Sequence, residues 1–234
     1  MTMPDHGSHF TVHRSRVLTQ AIEDYMKAIY KLQQEGAAVT TNAIAERLDV
    51  APASVSNMLK KLARLRLVAH TPYHGVQLTD SGQKVSLEVI RHHRLIELYL
   101  ARNLGISLDK VDEEAERLEH VISEELEERI AQSLGEPTRD PHGDPIPTRE
   151  GDVEDLHHPV LADLGPGQTG VVARVSDRDP AVLRDLASER LLPGESVWVV
   201  AVHDDGALSV KTKKGTRRVR ADLAKAVYVE KAGT

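Results

Sequence analysis

The chain has 234 residues, 40% of them hydrophobic and 28% charged, with no cysteine and a formal net charge of −6. It can therefore build neither a disulfide framework nor a thiolate metal site. No apolar run long enough to span a bilayer and no signal-peptide pattern is present, so a cytoplasmic location with no membrane partner is expected. A chain of this length predicts two or three small domains, and with aromatics at only 3% their cores must be aliphatic.

The charge is unevenly spread: residues 1–80 carry +2, residues 81–150 carry −7 and residues 151–234 carry −1. Residues 52–79 contain Lys60, Lys61, Arg64 and Arg66 and no acid, a local basic footprint suited to phosphate. The acidic middle is where cations would gather.

Residues 1–15 are polar, carry His6, His9 and His13 and show no periodicity, so they read as a mobile, solvated tail. Residues 17–34 then place Leu18, Ile22, Tyr25, Met26, Ile29 and Leu32 at the three-and-four spacing of an amphipathic helix ending near Gly36. Thr40 or Thr41 caps a short helix through Leu48, with Ile44, Ala45 and Leu48 turned inward, and residues 49–52 connect tightly to a second helix over residues 52–65. That is the spacing of a helix-turn-helix, which an ordinary helical corner also produces. The second helix buries Val55, Leu59 and Leu62 and leaves Ala53, Ser54, Ser56, Asn57 and Lys60 outward, short side chains suited to a major groove. Residues 67–70 and 76–78 read as two strands joined by a turn. Such a hairpin is a wing, and its tip residues Tyr73 and His74 join the candidate DNA contacts.

Two long helices follow, over residues 82–103 and 108–134, with apolar stripes too long for a small winged-helix core to cover. Pairing with a second copy of the chain satisfies those stripes, and a two-fold dimer is what a palindromic operator requires. The acidic helix carries Val111, Ala115, Leu118, Ile122 and Leu126 along one stripe, and Asp112, Glu116, Glu119 and His120 sit beside it at helical offsets of four, three and one. That set can hold a divalent metal, and it also arises when an acidic helix merely solvates one face, so spacing leaves both readings open. Crowded carboxylates do repel one another unless a cation or basic partner compensates. In the preceding helix His93 and Glu97 form an i, i+4 pair, although His93, beside Arg91 and Arg94, also reads as a surface histidine.

Residues 139–158, rich in Pro, Gly and Asp, read as a linker. Beyond it, short strands at residues 170–175, 196–202, 208–211 and 217–220, with a helix near residues 180–189 and a turn at Leu192-Pro193-Gly194, predict a small barrel. Lys211, Lys213, Lys214, Arg217, Arg218 and Arg220 read as solvated strand faces. A carboxylate-bridged metalloenzyme would use the same Glu and His cluster, but it needs an open coordination position, a pocket and a general base. The sequence has no nucleophile motif, no His-Glu-x-x-His and no phosphate loop. Neither catalysis nor a small organic substrate is expected.

Over nearly its full length the chain resembles the diphtheria toxin repressor family of metal-dependent regulators, and especially its manganese-responsive branch. The matching motifs are Glu23-Asp24-Tyr25 with Ile29-Tyr30-Lys31-Leu32, Ile44-Ala45-Glu46-Arg47-Leu48, Ser54-Val55-Ser56 and Leu78-Thr79-Asp80-Ser81-Gly82. They continue through His93-Arg94-Leu95, the run from Asp112 to His120, and Pro141-His142-Gly143-Asp144-Pro145-Ile146-Pro147. The resemblance implies a mainly α fold with small β parts. Its domains would be a winged helix-turn-helix (residues 16–80), a helical metal-binding and dimerisation domain (81–138), the linker (139–158) and a C-terminal SH3-like β-barrel (159–234).

It also implies sites. A primary metal site maps to Asp24, Glu116, Glu119 and His120. The iron-responsive branch has a methionine where Asp24 stands and a cysteine where Glu116 stands, and the hard oxygen donors here suit Mn(II) better than softer ions. Some manganese regulators carry a glutamate three residues after the aspartate, and this chain departs from them with Lys27. An ancillary site maps to His93, Glu97, Asp140, His142 and an acid of the C-terminal domain, best matched by Asp177, with Asp163 and Asp179 as fallbacks and Asp112 as a possible oxygen donor. The function implied is a homodimeric Mn(II)-activated repressor of metal-uptake genes binding a palindromic operator, with an Fe(II)-responsive repressor as the alternative. Ligands from both the DNA-binding and dimerisation domains would let a metal staple the two together and raise the population able to bind DNA.

Overall fold

A computed structural model describes residues 18–36, 38–71, 75–155 and 157–231. The tail histidines His6, His9 and His13 and the wing-tip residues Tyr73 and His74 lie outside the described residues. The chain divides into two compact units meeting in sequence between Ser86 and Leu87.

In the first unit, α1 (Gln20–Gln34), α2 (Thr41–Leu48) and α3 (Pro52–Arg64) precede the antiparallel strands β1 (Val68–Thr71) and β2 (Gly75–Leu78) and the first turns of α4 (Asp80–Leu104). Thr40 caps α2 by accepting a hydrogen bond from the Ala43 amide at 3.1 Å. Asp49 then takes a left-handed conformation, φ 51°, and Pro52 opens α3 at a position where its missing N–H costs nothing. Ile22, Met26, Ile29, Ile44, Val55 and Leu62 are fully buried together. Each contributes roughly 1.5–3 kcal/mol by leaving water. Thr79 ties the wing to α4: its hydroxyl donates to the Arg66 carbonyl at 2.7 Å and accepts from the Gly82 amide. A Cβ on Gly82 would stand 2.0 Å from the Leu67 carbonyl oxygen, which accounts for the glycine closing the Leu78 to Gly82 motif.

In the second unit, the segment expected to be one helix over residues 108–134 is two, α5 (Leu108–Leu118) and α6 (Glu124–Ser133). Ser123 accepts from the Leu126 amide and starts α6 afresh, with Glu124, Glu125 and Glu127 in its first turn where the helix dipole favours acids. The break takes Leu118 and Leu126 off the buried stripe: they are exposed, whereas Val111, Ala115 and Ile122 pack with Ile96 and Leu100 of α4.

The C-terminal part forms a five-stranded antiparallel sheet in the order β6 (Gly215–Val219), β5 (Leu208–Thr212), β4 (Ser196–Val202), β3 (Thr169–Val175), β7 (Val227–Lys231). The expected small SH3-like domain is present as an open antiparallel sheet. β7 pairs with β3 rather than with β6, which leaves two edges. One face packs Val172, Val197, Val199, Val210 and Val229 against α7 (Pro180–Glu189), α8 (Ala221–Lys225) and a short 3-10 turn at Leu161–Asp163.

The stretch read as a linker is packed through its first half. His142 to Pro147 are buried, the Val175 amide donates to the His142 carbonyl at 2.8 Å, and Gly143, at φ 93°, lies where a Cβ would be 2.1 Å from the Ala173 carbonyl oxygen. Only glycine allows that approach of the Pro-His-Gly segment to β3.

Candidate metal centre and nucleic-acid face

On α3, Ala53, Ser54, Ser56, Asn57, Lys60, Lys61 and Arg64 are exposed, as is Arg66 just after it. Val55 and Leu62 hold the opposite side of the helix in the core. The Ser56 hydroxyl donates to the Pro52 carbonyl, which leaves its lone pairs outward. Arg64 donates to the Lys60 carbonyl. An exposed helix of short polar side chains followed by cations matches what a major groove and its flanking phosphates accept.

Asp24 stands half-buried on α1, in the first unit. Within the second unit, Glu116, Glu119 and His120, at the end of α5 and just beyond, bring ligand atoms within 4.8 Å of one another. Glu119 is fully buried, and its Oε1 lies 3.2 Å from His120 Nε2. Its Oε2 is 2.5 Å from Nδ1 of His93, which α4 supplies. His93 is thus buried and not the surface histidine its Arg neighbours suggest. Its Nε2 is 3.5 Å from Glu97 and 3.3 Å from Asp112, whose side chain is half exposed.

A further cluster joins Glu97 to Asp140 and His142. His142 Nε2 donates to the Leu108 carbonyl at 3.3 Å, and its Nδ1 lies 3.6 Å from Glu97 Oε1. Asp140 Oδ1 accepts from the His142 and Asp144 amides, while Arg94 lies 3.5 Å from Oδ2. Asp177 is close enough for its charge to act on His142. The fallback acids stand elsewhere in role: Asp179 caps α7 through the Ala181 amide, and Asp163 sits exposed in the 3-10 turn.

The electrostatics report crowding. Burial, aided by the charges of Glu97 and Asp144, pushes the Asp140 carboxyl up to about 7. Burial would depress His93, yet the Glu97 charge and hydrogen bonds with Asp112, Glu119 and Glu97 hold it well above the usual histidine range. His142 is likewise depressed by burial and raised further by Glu97, Asp140 and Asp177. The protons kept on these groups stand where a divalent cation would stand. Glu97 Oε1 is buried between His93 Nε2 at 3.5 Å and His142 Nδ1 at 3.6 Å, and the donor set is carboxylate and imidazole throughout, so the residues fit a hard or borderline divalent ion.

Sequence reasoning missed the polar frame around the centre. Glu127 accepts from Arg91 Nε at 2.6 Å and lies 3.0 Å from His92 Nε2, while Arg94 and Arg174 both reach Asp144. Nothing local signals these pairs, because their members are 30 or more residues apart.

Comparison with known proteins gives a consistent result. The iron dependent repressor N-terminal DNA binding domain matches residues 17–76, the iron dependent repressor metal binding and dimerisation domain residues 79–148, and the FeoA domain residues 160–231. The diphtheria toxin repressor of Corynebacterium glutamicum is 31% identical over 223 residues, covering 92% of this chain and 97% of its own. That of Corynebacterium efficiens is 38% identical over 130 residues, 56% of either chain. A solved manganese-dependent transcriptional repressor in complex with manganese is 38% identical at a TM-score of 0.82, covering 90% of this chain and 100% of that one.

Proposed function

Because this chain belongs to the iron-dependent, or diphtheria toxin, repressor family of metal-dependent DNA-binding repressors, we propose that it is a Mn(II)-activated, homodimeric, cytoplasmic repressor of metal-uptake genes, acting at a palindromic operator. The observation that carries the reading is the gathering of Glu116, Glu119 and His120 at the end of α5, with no sulfur donor in the set. The manganese in the similar solved repressor supports the choice of ion.

In this reading Asp24 on α1 joins Glu116, Glu119 and His120 as a fourth ligand. An ion, when bound, supplies the positive charge that offsets carboxylate repulsion. Asp24 then holds α1 against the metal-binding domain, and the two α3 helices of the dimer stay near the separation of successive major grooves. Ser54, Ser56 and Asn57 meet base edges or nearby backbone. Lys60, Lys61, Arg64 and Arg66 meet phosphates and supply the salt-dependent part of the affinity. By linkage, DNA tightens metal binding by the factor that metal tightens DNA binding.

The test is fluorescence anisotropy of duplexes from metal-transport promoters while free Mn(II), and separately Fe(II) without oxygen, is titrated. Mn(II) should drive specific binding by wild type and not by Glu116→Ala. Binding that ignores a chelator would sink the metal requirement, and a selective response to Fe(II) would reassign the ion alone.

A further inference from the structure

Two of the primary ligands stand where a helix gives out. α5 stops at Leu118, the Glu119 amide donates to the Ala115 carbonyl at 2.9 Å, and Glu119 and His120 occupy the turn beyond, where helix carbonyls lose their intrahelical donors. Ligands on such an end scatter unless the backbone is held. Adjacent residues of α4 hold it. His92 Nδ1 lies 3.2 Å from the Glu119 carbonyl, which can only accept, so this nitrogen carries the hydrogen. His93 Nδ1 meets the carboxylate of the same residue at 2.5 Å. His92 is 1% exposed and is gripped in turn: its Nε2 is 3.0 Å from Glu127 Oε2, and Glu127 Oε1 accepts from Arg91 Nε at 2.6 Å. Arg91 also donates to the Pro147 carbonyl at 2.8 Å. Burial would raise Glu127, yet His92 and Arg91 hold it below the usual carboxylate range, so it stays an acceptor.

We infer that His92 is a positioning residue of the metal centre: it pins the Glu119 backbone to α4, with Glu127 locking the imidazole from behind, and so sets Glu119 and His120 in place before an ion arrives. The inference rests on the metal-regulator reading and goes behind its ligands. His92 itself offers an ion nothing, since both its nitrogens face protein oxygens. Its effect is preorganisation, the ordering of the ligand turn being met during folding and not on binding.

The experiment compares three full-length variants, each made in wild type and in Glu116→Ala. The amide nitrogen in His92→Asn reaches about as far as Nδ1 and keeps the bond to the Glu119 carbonyl. That in His92→Gln reaches Glu127 instead, and His92→Phe fills the space and makes neither bond. Mn(II) is titrated and the unbound ion is read from its electron paramagnetic resonance signal. His92→Gln and His92→Phe should weaken the ion that Glu116→Ala abolishes by about 10 to 100-fold, while His92→Asn stays near wild type. In chelator, amides of residues 119–123 should exchange faster with His92→Gln and His92→Phe and not with His92→Asn, a change that needs no metal. Wild-type affinity in all three, or a loss with His92→Asn equal to that with His92→Phe, would overturn the positioning role. Equal weakening of the manganese that Glu116→Ala retains would overturn it too, as a general loss of packing. If His92→Phe fails to fold, the Asn and Gln variants decide alone. Should Glu116→Ala bind as much manganese as wild type, the primary-site reading itself falls and takes this one with it.

Discussion

The two units bury opposite kinds of side chain. The first has an aliphatic core in which, among the described residues, the buried polar ones are Glu23, Lys27 and Ser86, while its functional cations and amides stand in solvent on and beside α3. The second buries Arg91, His92, His93, Glu97, Glu119, Glu127, Asp140, His142 and Asp144. Burying ionisable groups is costly unless each is compensated. The Arg91–Glu127 and Arg174–Asp144 pairs compensate part of the charge, and the remainder converges on the candidate metal ligands. A reading head stable without metal and a sensor unit that is complete only with it would assign recognition to one unit and response to the other.

The largest test of that division is Glu116→Ala, at a side chain 46% exposed and so outside the packed core. Metal-dependent DNA affinity should fall by more than about 100-fold, since even residues behind the ligands typically cost 10 to 100-fold in metal affinity. A variant that still responds to Mn(II) would break the comparison. Next in size is metal removal followed by hydrogen exchange. At about 100 times the dissociation constant, bound Mn(II) stabilises by roughly 2.7 kcal/mol, so amides that exchange through opening of the site should slow by about 100-fold. The slowing should cover α5 and residues 140–147 and spare the core of α2 and α3. Equal protection in both places would mean that the sensor and the reader unfold as one.

The same contrast explains what could be read from the sequence. The helix-turn-helix is specified locally, by the Thr40 cap, Pro52 at the start of α3 and apolar residues at helical spacing, and each of those signals lies within a few residues of its effect. The ligand types along α5 were equally visible. The break before α6 was masked because Leu118, Ile122 and Leu126 continue the apolar spacing across it, while the acids after Ser123 were the available sign of a new helix start. The burial of Asp140 and His142 was hidden by composition: a Pro-Gly-Asp segment reads as a turn, and its burial depends on Gly143 meeting Ala173, 30 residues on. In the C-terminal domain β7 was not recognised, and that strand forms an edge beside β3.

A smaller effect follows from proton linkage in the metal-free protein. Asp140 is raised from 3.8 to about 7, His93 is raised well above the histidine range and His142 is raised, so these three groups hold more protons in the native state than in the unfolded chain from about pH 4 through neutrality. The stability these groups contribute is therefore present at low pH and lost as pH rises through that window. Urea unfolding monitored in chelator should show a lower midpoint at pH 7.5 than at pH 5.5. Saturating Mn(II) should flatten or reverse the slope, because the ion takes the place of those protons. An apo midpoint that rises with pH would contradict the crowding described for the second unit.

The smallest effects separate two roles within α3. Lys60→Ala should weaken binding to every duplex alike and reduce the slope of log K against log salt by about 0.9, the signature of one lost phosphate contact. Asn57→Ala should leave the salt slope unchanged and cost about 1–3 kcal/mol on the specific duplex alone, the range of a base-edge contact. Both side chains are exposed and neither holds the core, so stability should stay near wild type and the difference reports on DNA. If both variants changed only the salt slope, α3 would lie along the phosphate backbone, and specificity would have to come from the wing or from DNA shape.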